Sequence, residues 1–329
     1  MQQKLSCIVF SFVIYSFLMG SFQNGIYYTQ FAWRMPERSL RMIDFHTHIL
    51  PGIDDGSRDT EMSLAMLEAE MSQGVNTVVL TPHFYAHRRS IGHFLEKRQH
   101  ALEKLQRALG ELQDRSEKLQ RALEKSKHAS EKLVLTSEKI RQTVEQQETH
   151  KKNAAAGESG FTYLCIGAEV YYFEGMGRAD QLPQLCIEGT NTILVEMPFE
   201  QWHEEQFRDL KMIIEKQHLR VVLAHIERYP EFQKDKTIWE RIFDELPVTP
   251  QINTGSFLKK GGLFSRNTKK KFCLNWFKEH PETILGSDAH NLDSRKVNLA
   301  AGREIIQKEL GEEALWRSDE TARRLLDKS

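Results

Sequence analysis

His46 and His48 close the run MIDFHTH, one residue apart. Alternate residues of a strand face the same way, so the pair can offer two imidazoles to one ion. An isolated HxH is more often incidental. Here residues of the same kind end one apolar run after another: His83 in TPH, Glu169 in LCIGAEV, Glu196 in ILVEM, His225 in VVLAHIERY, and Asp288 with His290 in SDAH. Asp55 follows the first run in LPGIDDG. Together they make five imidazoles and four carboxylates, an N/O donor set for divalent ions of the zinc, manganese or iron kind. Each imidazole must be neutral and each carboxylate ionised to bind. Taken singly, His83 reads as a turn histidine and the two glutamates as surface acids. Their apolar flanks argue otherwise, because burying an unpaired charge is expensive. The ordered set of nine is hard to reach by chance.

Two arginines stand just beyond ligand positions, Arg228 in AHIER and Arg295 in SDAHNLDSR. A guanidinium fork matches phosphate oxygens and stabilises charge that develops during phosphoryl transfer. Their ordinary readings are an ion pair with Glu227 and the first turn of the following helix. Three divalent ions would outweigh the four carboxylates and leave positive charge for a phosphate oxyanion and an activated water. The four cysteines form no CxxC clip, and none is followed six residues later by Arg. The spacing argues against a disulfide scaffold and a thiolate zinc ribbon, and a cysteine-nucleophile phosphatase loop is absent. A formal net charge of −1 gives no global field for nucleic acid.

These residues need a scaffold that brings distant strand ends together. Strand-like runs occur at 43–46, 77–81, 163–169, 192–196, 221–225, 249–253 and 283–287. Helical patterns lie between most of them, at 60–73, 204–218 and 269–280. The alternation predicts an α/β fold with parallel strands, a distorted seven-stranded β/α barrel, with an open sheet as the alternative. In such barrels functional residues gather at the C-terminal ends of the strands.

Two segments stand apart. Residues 1–41 contain an apolar run, Leu5 to Gly20, shorter than the ~20 residues that span a bilayer. They read as a hydrophobic leader or a mis-assigned extension, with Met42 as the start of the functional chain. Cytoplasmic location is expected, with membrane association if the leader is retained. Residues 98–157 interrupt the 42–329 domain with a heptad repeat, EKLQRAL GELQDRS EKLQRAL EKSKHAS EKLVLTS EKIRQTV. Leu105, Leu112, Leu119, Ser126, Leu133 and Ile140 form one seam row, and Leu102, Leu109, Ser116, Leu123, Ser130, Ser137 and Val144 the other. Ser126 and Ser130 weaken the seam. A solvated repeat expansion is the preferred reading, and a coiled coil forming a homo-oligomer or docking a partner is the alternative.

MIDFHTHILPGIDDGSRD, TPHF, GAEVYY, LVEMP, LAHIERY, QINTGS and GSDAHN, in this order, resemble the bacterial PHP-type (polymerase and histidinol phosphatase) protein-tyrosine phosphatases. These are manganese-dependent enzymes of capsule and exopolysaccharide synthesis. The resemblance covers about 42–298 without the heptad insert. It implies the seven-stranded barrel and a trinuclear centre. His46, His48, Glu169 and Asp288 would hold one ion. Glu169 would bridge to a second, held also by Glu196 and His225. Asp55, His83 and His290 would hold the third. It implies that Arg228 and Arg295 contact phosphate, that Mn²⁺ is the cofactor with Zn²⁺ or Fe²⁺ as alternatives, and that the partner is a phosphotyrosine protein, a bacterial tyrosine autokinase. The leader and the insert depart from the family pattern. Two other functions are carried forward: a phosphoesterase acting on a small monoester such as histidinol phosphate, and a catalytically silent barrel that recruits a partner through its coiled coil.

Overall fold

The computed structural model describes residues 42–141, 163–258 and 268–327. In chain order the elements are β1 (Met42–Thr47), α1 (Thr60–Ser72), β2 (Val75–Leu80), β3 (His83–Phe84), α2 (Ile91–Arg141), β4 (Tyr163–Ile166), β5 (Glu169–Tyr171), β6 (Thr192–Glu196), α3 (Glu204–Glu215), β7 (Arg220–Leu223), α4 (Thr237–Glu245), β8 (Thr249–Asn253), α5 (Thr268–Glu279), β9 (Ile284–Gly286), α6 (Leu299–Leu310) and α7 (Glu312–Leu326). The helices expected at 60–73, 204–218 and 269–280 are present within a few residues. Asp59 shows why one of them starts where it does: its carboxylate accepts the Met62 N–H at 2.8 Å and caps α1. Gly74, at φ +84°, lets the chain leave that helix for β2.

All strand pairings among the described residues are parallel. They form a three-stranded sheet, β1-β2-β4, and a six-stranded sheet, β3-β5-β6-β7-β8-β9. Nine segments appear where seven runs are expected. Thr81-Pro82 separates β2 from β3, which lies just past the expected run 77–81, and Gly167-Ala168 separates β4 from β5 within the run 163–169, so the chain changes sheet at both places. At the far edge the backbone of β1 meets the chain after β9. Asp288 N–H donates to the His46 carbonyl at 2.8 Å and His48 N–H to the Ala289 carbonyl at 2.9 Å. The result is a barrel-like α/β fold.

The strands are buried on both faces, as parallel strands under crossover helices must be. Ile43, Phe45, Val79, Leu194, Val222, Ala224 and Ile284 share one apolar cluster with Ala322 and Leu325 of α7. The Thr192 hydroxyl, on the first residue of β6, donates to the Leu325 carbonyl at 2.7 Å. α7 is thereby tied to the N-terminal end of β6.

The contacts of the chain divide it at Leu105. In the first unit, the opening turns of α2 are core: Phe94, Ala101, Leu102 and Leu105 are buried, so the first two seam residues are used by the body. The rest of α2, from Gln106, belongs to the second unit. Residues 142–157 of the expected insert and the apolar run of residues 5–20 lie outside the described residues. Among the described residues no helix is long and apolar enough to cross a membrane.

Candidate metal centre

Seven of the nine ligand-type residues lie at or just beyond the C-terminal end of a strand segment or in the loop that follows β1, while His83 and Glu169 open the short segments β3 and β5 that continue from β2 and β4. In β1 the register shifts between Asp44 and Thr47, a bulge that re-aims the strand's last side chains. Phe45 stays in the apolar cluster while His46 and His48 converge, their Nε2 atoms 3.1 Å apart. Two glycines make room for them. A Cβ on Gly286 would stand 2.6 Å from the His46 Cβ, and one on Gly56 would stand 2.2 Å from the His48 carbonyl oxygen. His225 (φ +33°) and Asp288 (φ +53°) occupy the left-handed region, which costs non-glycine residues energy and is typical of functional positions.

Glu169 is the centre of the group. One carboxylate oxygen lies 3.1 Å from His46 Nε2, 3.2 Å from His48 Nε2 and 2.9 Å from His83 Nδ1, and the other lies 2.9 Å from His225 Nε2. Asp288 Oδ1 lies 3.6 and 3.4 Å from His46 Nε2 and His48 Nε2. Glu196 approaches His225 at 3.4 Å and His83 at 3.7 Å. Asp55 approaches both His83 Nε2 and His290 Nε2 at 3.5 Å. Three sets of donor atoms are compact enough for an ion: His46, His48 and Asp288; His83, Glu169 and Glu196; and His48, Asp55, His83 and His290. The first and third overlap closely with the sets the resemblance implies. In the second, His83 stands where His225 is expected.

Do these residues fit ions? Three imidazoles are held with one nitrogen turned inward. His46 Nδ1 donates to Gln251 Oε1 (3.1 Å), His48 Nδ1 to Asp54 Oδ2 (2.8 Å) and His290 Nδ1 to the Asp288 carbonyl (3.0 Å). That fixes the tautomer and leaves each Nε2 lone pair facing the cluster, the arrangement usual for metal-binding histidines. Glu169 Oε2, Glu196 Oε2, His83 Nδ1 and His290 Nε2 are buried without a hydrogen-bond partner. Glu169 Oε2 and His83 Nδ1 lie 2.9 Å apart, and Glu196 Oε2 lies 3.7 Å from the same nitrogen, so these atoms crowd together without a hydrogen bond, as ligand atoms around one ion do. The charge also fits. Burial works against ionisation of Glu169 and Asp288, yet the surrounding imidazoles hold both carboxyls well below their usual range. Burial likewise opposes a charge on His225, but Glu169 and Glu196 raise it to about 9. The carboxylates thus call for positive charge in the space between them. Cys165 and Cys186 do not compete, since burial pushes both thiols up to about 12.

Both arginines reach this cluster. Arg295 donates to both Asp288 oxygens at 2.8 Å and lies 3.7 Å from Asp55. Its ordinary reading, the first turn of a helix, does not describe it, because α6 starts only at Leu299. Arg228 lies 3.6 Å from Asp288, too far for a hydrogen bond, with its side chain about one-third exposed. Glu227, its expected ion-pair partner, is instead bonded by the Ser256 hydroxyl at 2.8 Å.

The family model for capsular polysaccharide synthesis, CpsB/CapC, matches residues 42–134 and 117–318. The chain belongs to the CpsB/CapC family. It is 26% identical over 289 residues to the tyrosine-protein phosphatase YwqE of Bacillus subtilis, covering 87% of this chain and 91% of that protein. It is 26% identical over 277 residues to the tyrosine-protein phosphatase CpsB of Streptococcus agalactiae serotype III, covering 83% and 92%. A solved structure from a study of YwqE and Streptococcus pneumoniae CpsB, described as unique metal-dependent tyrosine phosphatases, shares the fold. It superposes with a TM-score of 0.61 at 22% identity, covering 88% of this chain and 96% of that one.

This CpsB/CapC chain also has supporting residues that its sequence does not announce. Gln251 Oε1 accepts from the His225 N–H at 2.9 Å as well as from His46, and its amide donates to Asn253, which donates to Asp288 at 2.8 Å. QINTGS was legible as a motif, but it contains no ligand-type residue to suggest this role. Asp54 receives the His83 N–H at 2.9 Å and orients His48, while its neighbour Asp55 is 65% exposed at the mouth. Asp44 Oδ1 accepts from the Ser287 N–H at 2.8 Å and ties β1 to the chain after β9. Gln251→Leu keeps the volume and removes the acceptor for His46. We expect metal affinity to fall by about 10- to 100-fold, the range for partners of metal-binding histidines. Titration of the metal-stripped protein measures it, and an unchanged Kd would remove Gln251 from the centre.

Proposed function

We propose that this chain is a metal-dependent protein-tyrosine phosphatase that hydrolyses phosphotyrosine on a bacterial tyrosine autokinase controlling capsule or exopolysaccharide synthesis. The observation that carries the reading is the convergence of nine ligand-type residues, several with unpartnered buried donor atoms, beside two arginines. His46, His48, Asp55, His83, Glu169, Glu196, His225, Asp288 and His290 would hold three ions, Mn²⁺ by preference. Bound divalent ions lower the pKa of a coordinated water and draw charge from phosphoryl oxygens.

The remaining work belongs to the protein. Arg228 keeps its donors available and is near the cluster, so it can bind a phosphate bidentately. Arg295 spans Asp288 and Asp55 and can share its fork with a phosphate oxygen at the same edge. Gln251, Asn253 and Asp54 hold the ligands in place and cost no reorganisation during the reaction. The cytoplasm is the setting that suits a kinase-directed phosphatase. In this reading β2 with β3, and β4 with β5, each count as one strand, giving a distorted seven-stranded barrel. The phosphatase domain is 42–329, interrupted by the helical insert, and 1–41 is dispensable.

A protein starting at Met42 tests both the chemistry and the boundaries. It should fold and hydrolyse phosphotyrosine peptide, lose activity in excess chelator, and recover best with Mn²⁺. Full activity after prolonged chelation would sink the metal reading. Soluble, metal-loaded but inactive protein would show that residues 1–41 belong to the site.

A further inference from the structure

Aromatic residues follow the ligands along one arc of the mouth. Tyr85 comes two residues after His83, Tyr171 two after Glu169, and Phe199 three after Glu196. Strand register explains the first pair. His83 lies opposite Glu169 in the parallel β3–β5 ladder, so the residues two further on are also neighbours, and the Tyr85 and Tyr171 rings are 5.5 Å apart. Tyr171 in turn lies opposite Glu196 in β6, which leads into Phe199. The Tyr85 ring is 5.2 Å from that of His83, and the Phe199 ring is 5.9 Å from that of His225 at an interplanar angle of 16°.

Phe199 is also exposed, at 38%. Among the described residues only Leu292 and Trp316 are comparably exposed large apolar side chains, and Leu292 lies two residues after His290. Exposed apolar surface is thus concentrated beside the ligands, where it has a use if a substrate covers it. The Phe199 ring is braced by Tyr229 (5.4 Å) and Phe232 (5.9 Å), which hold it in place before anything binds. The Arg228 guanidinium carbon lies 5.9 Å from the Phe199 centroid, so a cation suited to phosphate and a ring suited to an aromatic group stand side by side. None of these aromatic groups has a part in holding ions.

We propose that Phe199, with the Tyr85–Tyr171 pair, receives the aryl ring of the substrate and makes this site select aryl over alkyl phosphate monoesters. The inference rests on the phosphatase reading above. An alkyl phosphate would be held by the same arginines but would leave the aromatic arc uncovered.

The test separates ring recognition from chemistry by using phosphonates that cannot be hydrolysed. Inhibition constants of phenylphosphonate and methylphosphonate are measured against the Mn²⁺-loaded enzyme with phosphotyrosine peptide as substrate. The wild type should prefer phenylphosphonate. Phe199→Ala should reduce that preference about tenfold, the scale of a lost aromatic contact together with its buried area. Phe199→Tyr keeps a ring and should keep the preference. Tyr85→Phe and Tyr171→Phe should keep it too, and the Tyr85→Leu, Tyr171→Leu double variant should lower it. Melting temperatures are recorded in parallel, since a purely structural role would lower Tm while leaving the ratio unchanged, and that result overturns the proposal. A wild type that hydrolyses peptide but binds both phosphonates equally overturns this inference alone. A metal-loaded wild type that hydrolyses no phosphate ester overturns the phosphatase reading and this inference with it.

Discussion

Glu169→Gln is expected to remove turnover almost entirely, by on the order of 10³-fold or more, because the contribution it would support is worth several kcal/mol of transition-state stabilisation. No other carboxylate in the cluster touches as many ligand-type side chains. Its two oxygens lie within 3.2 Å of His46, His48, His83 and His225, and the side chain is 1% exposed. Glutamine keeps the shape and the hydrogen-bond reach but removes the charge and puts an N–H₂ group where one donor oxygen stood. With ions bound, the imidazole lone pairs would be taken up, so none would be left to accept a hydrogen bond from the amide N–H. Two readouts are needed, metal content by elemental analysis and kcat on an aryl phosphate. We expect fewer bound ions per chain and almost no turnover. A variant with the full complement of ions and near-wild-type kcat would show that Glu169 is not the bridge between them.

Arg228→Ala and Arg295→Ala should each lower kcat by ~10²–10³, the cost typical of removing one donor from a preorganised charge-stabilising site. The two arginines sit differently, and the difference sharpens the experiment. Arg228 has only a 3.6 Å approach to Asp288, so its removal should leave metal content and melting temperature close to wild type while turnover falls. Arg295 donates to both oxygens of Asp288 at 2.8 Å, so its removal also frees a candidate ligand from a competing cation. Arg295→Ala could then bind metal as well as or better than wild type and still turn over slowly. Lysine should rescue neither variant, because an ammonium cannot reproduce the bidentate fork. Near-wild-type kcat in both alanine variants, at full metal occupancy, would reduce these arginines to ion-pair partners of Asp288.

Much of the centre was legible in the amino-acid sequence, for a physical reason. A parallel strand buried on both faces reads as an apolar run, and a charged or imidazole side chain at its end stands out against that background. Hence the nine candidate residues, both arginines, the parallel α/β fold and the family resemblance could be read from local pattern and order alone. Local pattern singled out Asp55 but did not show that the adjacent, chemically alike Asp54 has a part of its own. The fold buries Asp54 against His48 and leaves Asp55 at the mouth. Nor could it mark Gln251, whose role depends on β8 lying between β7 and β9, beside residues some 205 and 26 positions away. The bulge in β1, the left-handed backbone at His225 and Asp288, and the two places where the chain changes sheet likewise follow from closing strands of distant sequence around one core. Leu102 and Leu105 show the same limit from the other side: they satisfy a heptad as well as any seam residue, yet they pack into the body. Side-chain type and spacing are local properties and are written in the sequence, whereas which donor meets which acceptor is set by the register of strands far apart in the chain, and only the assembled barrel decides it.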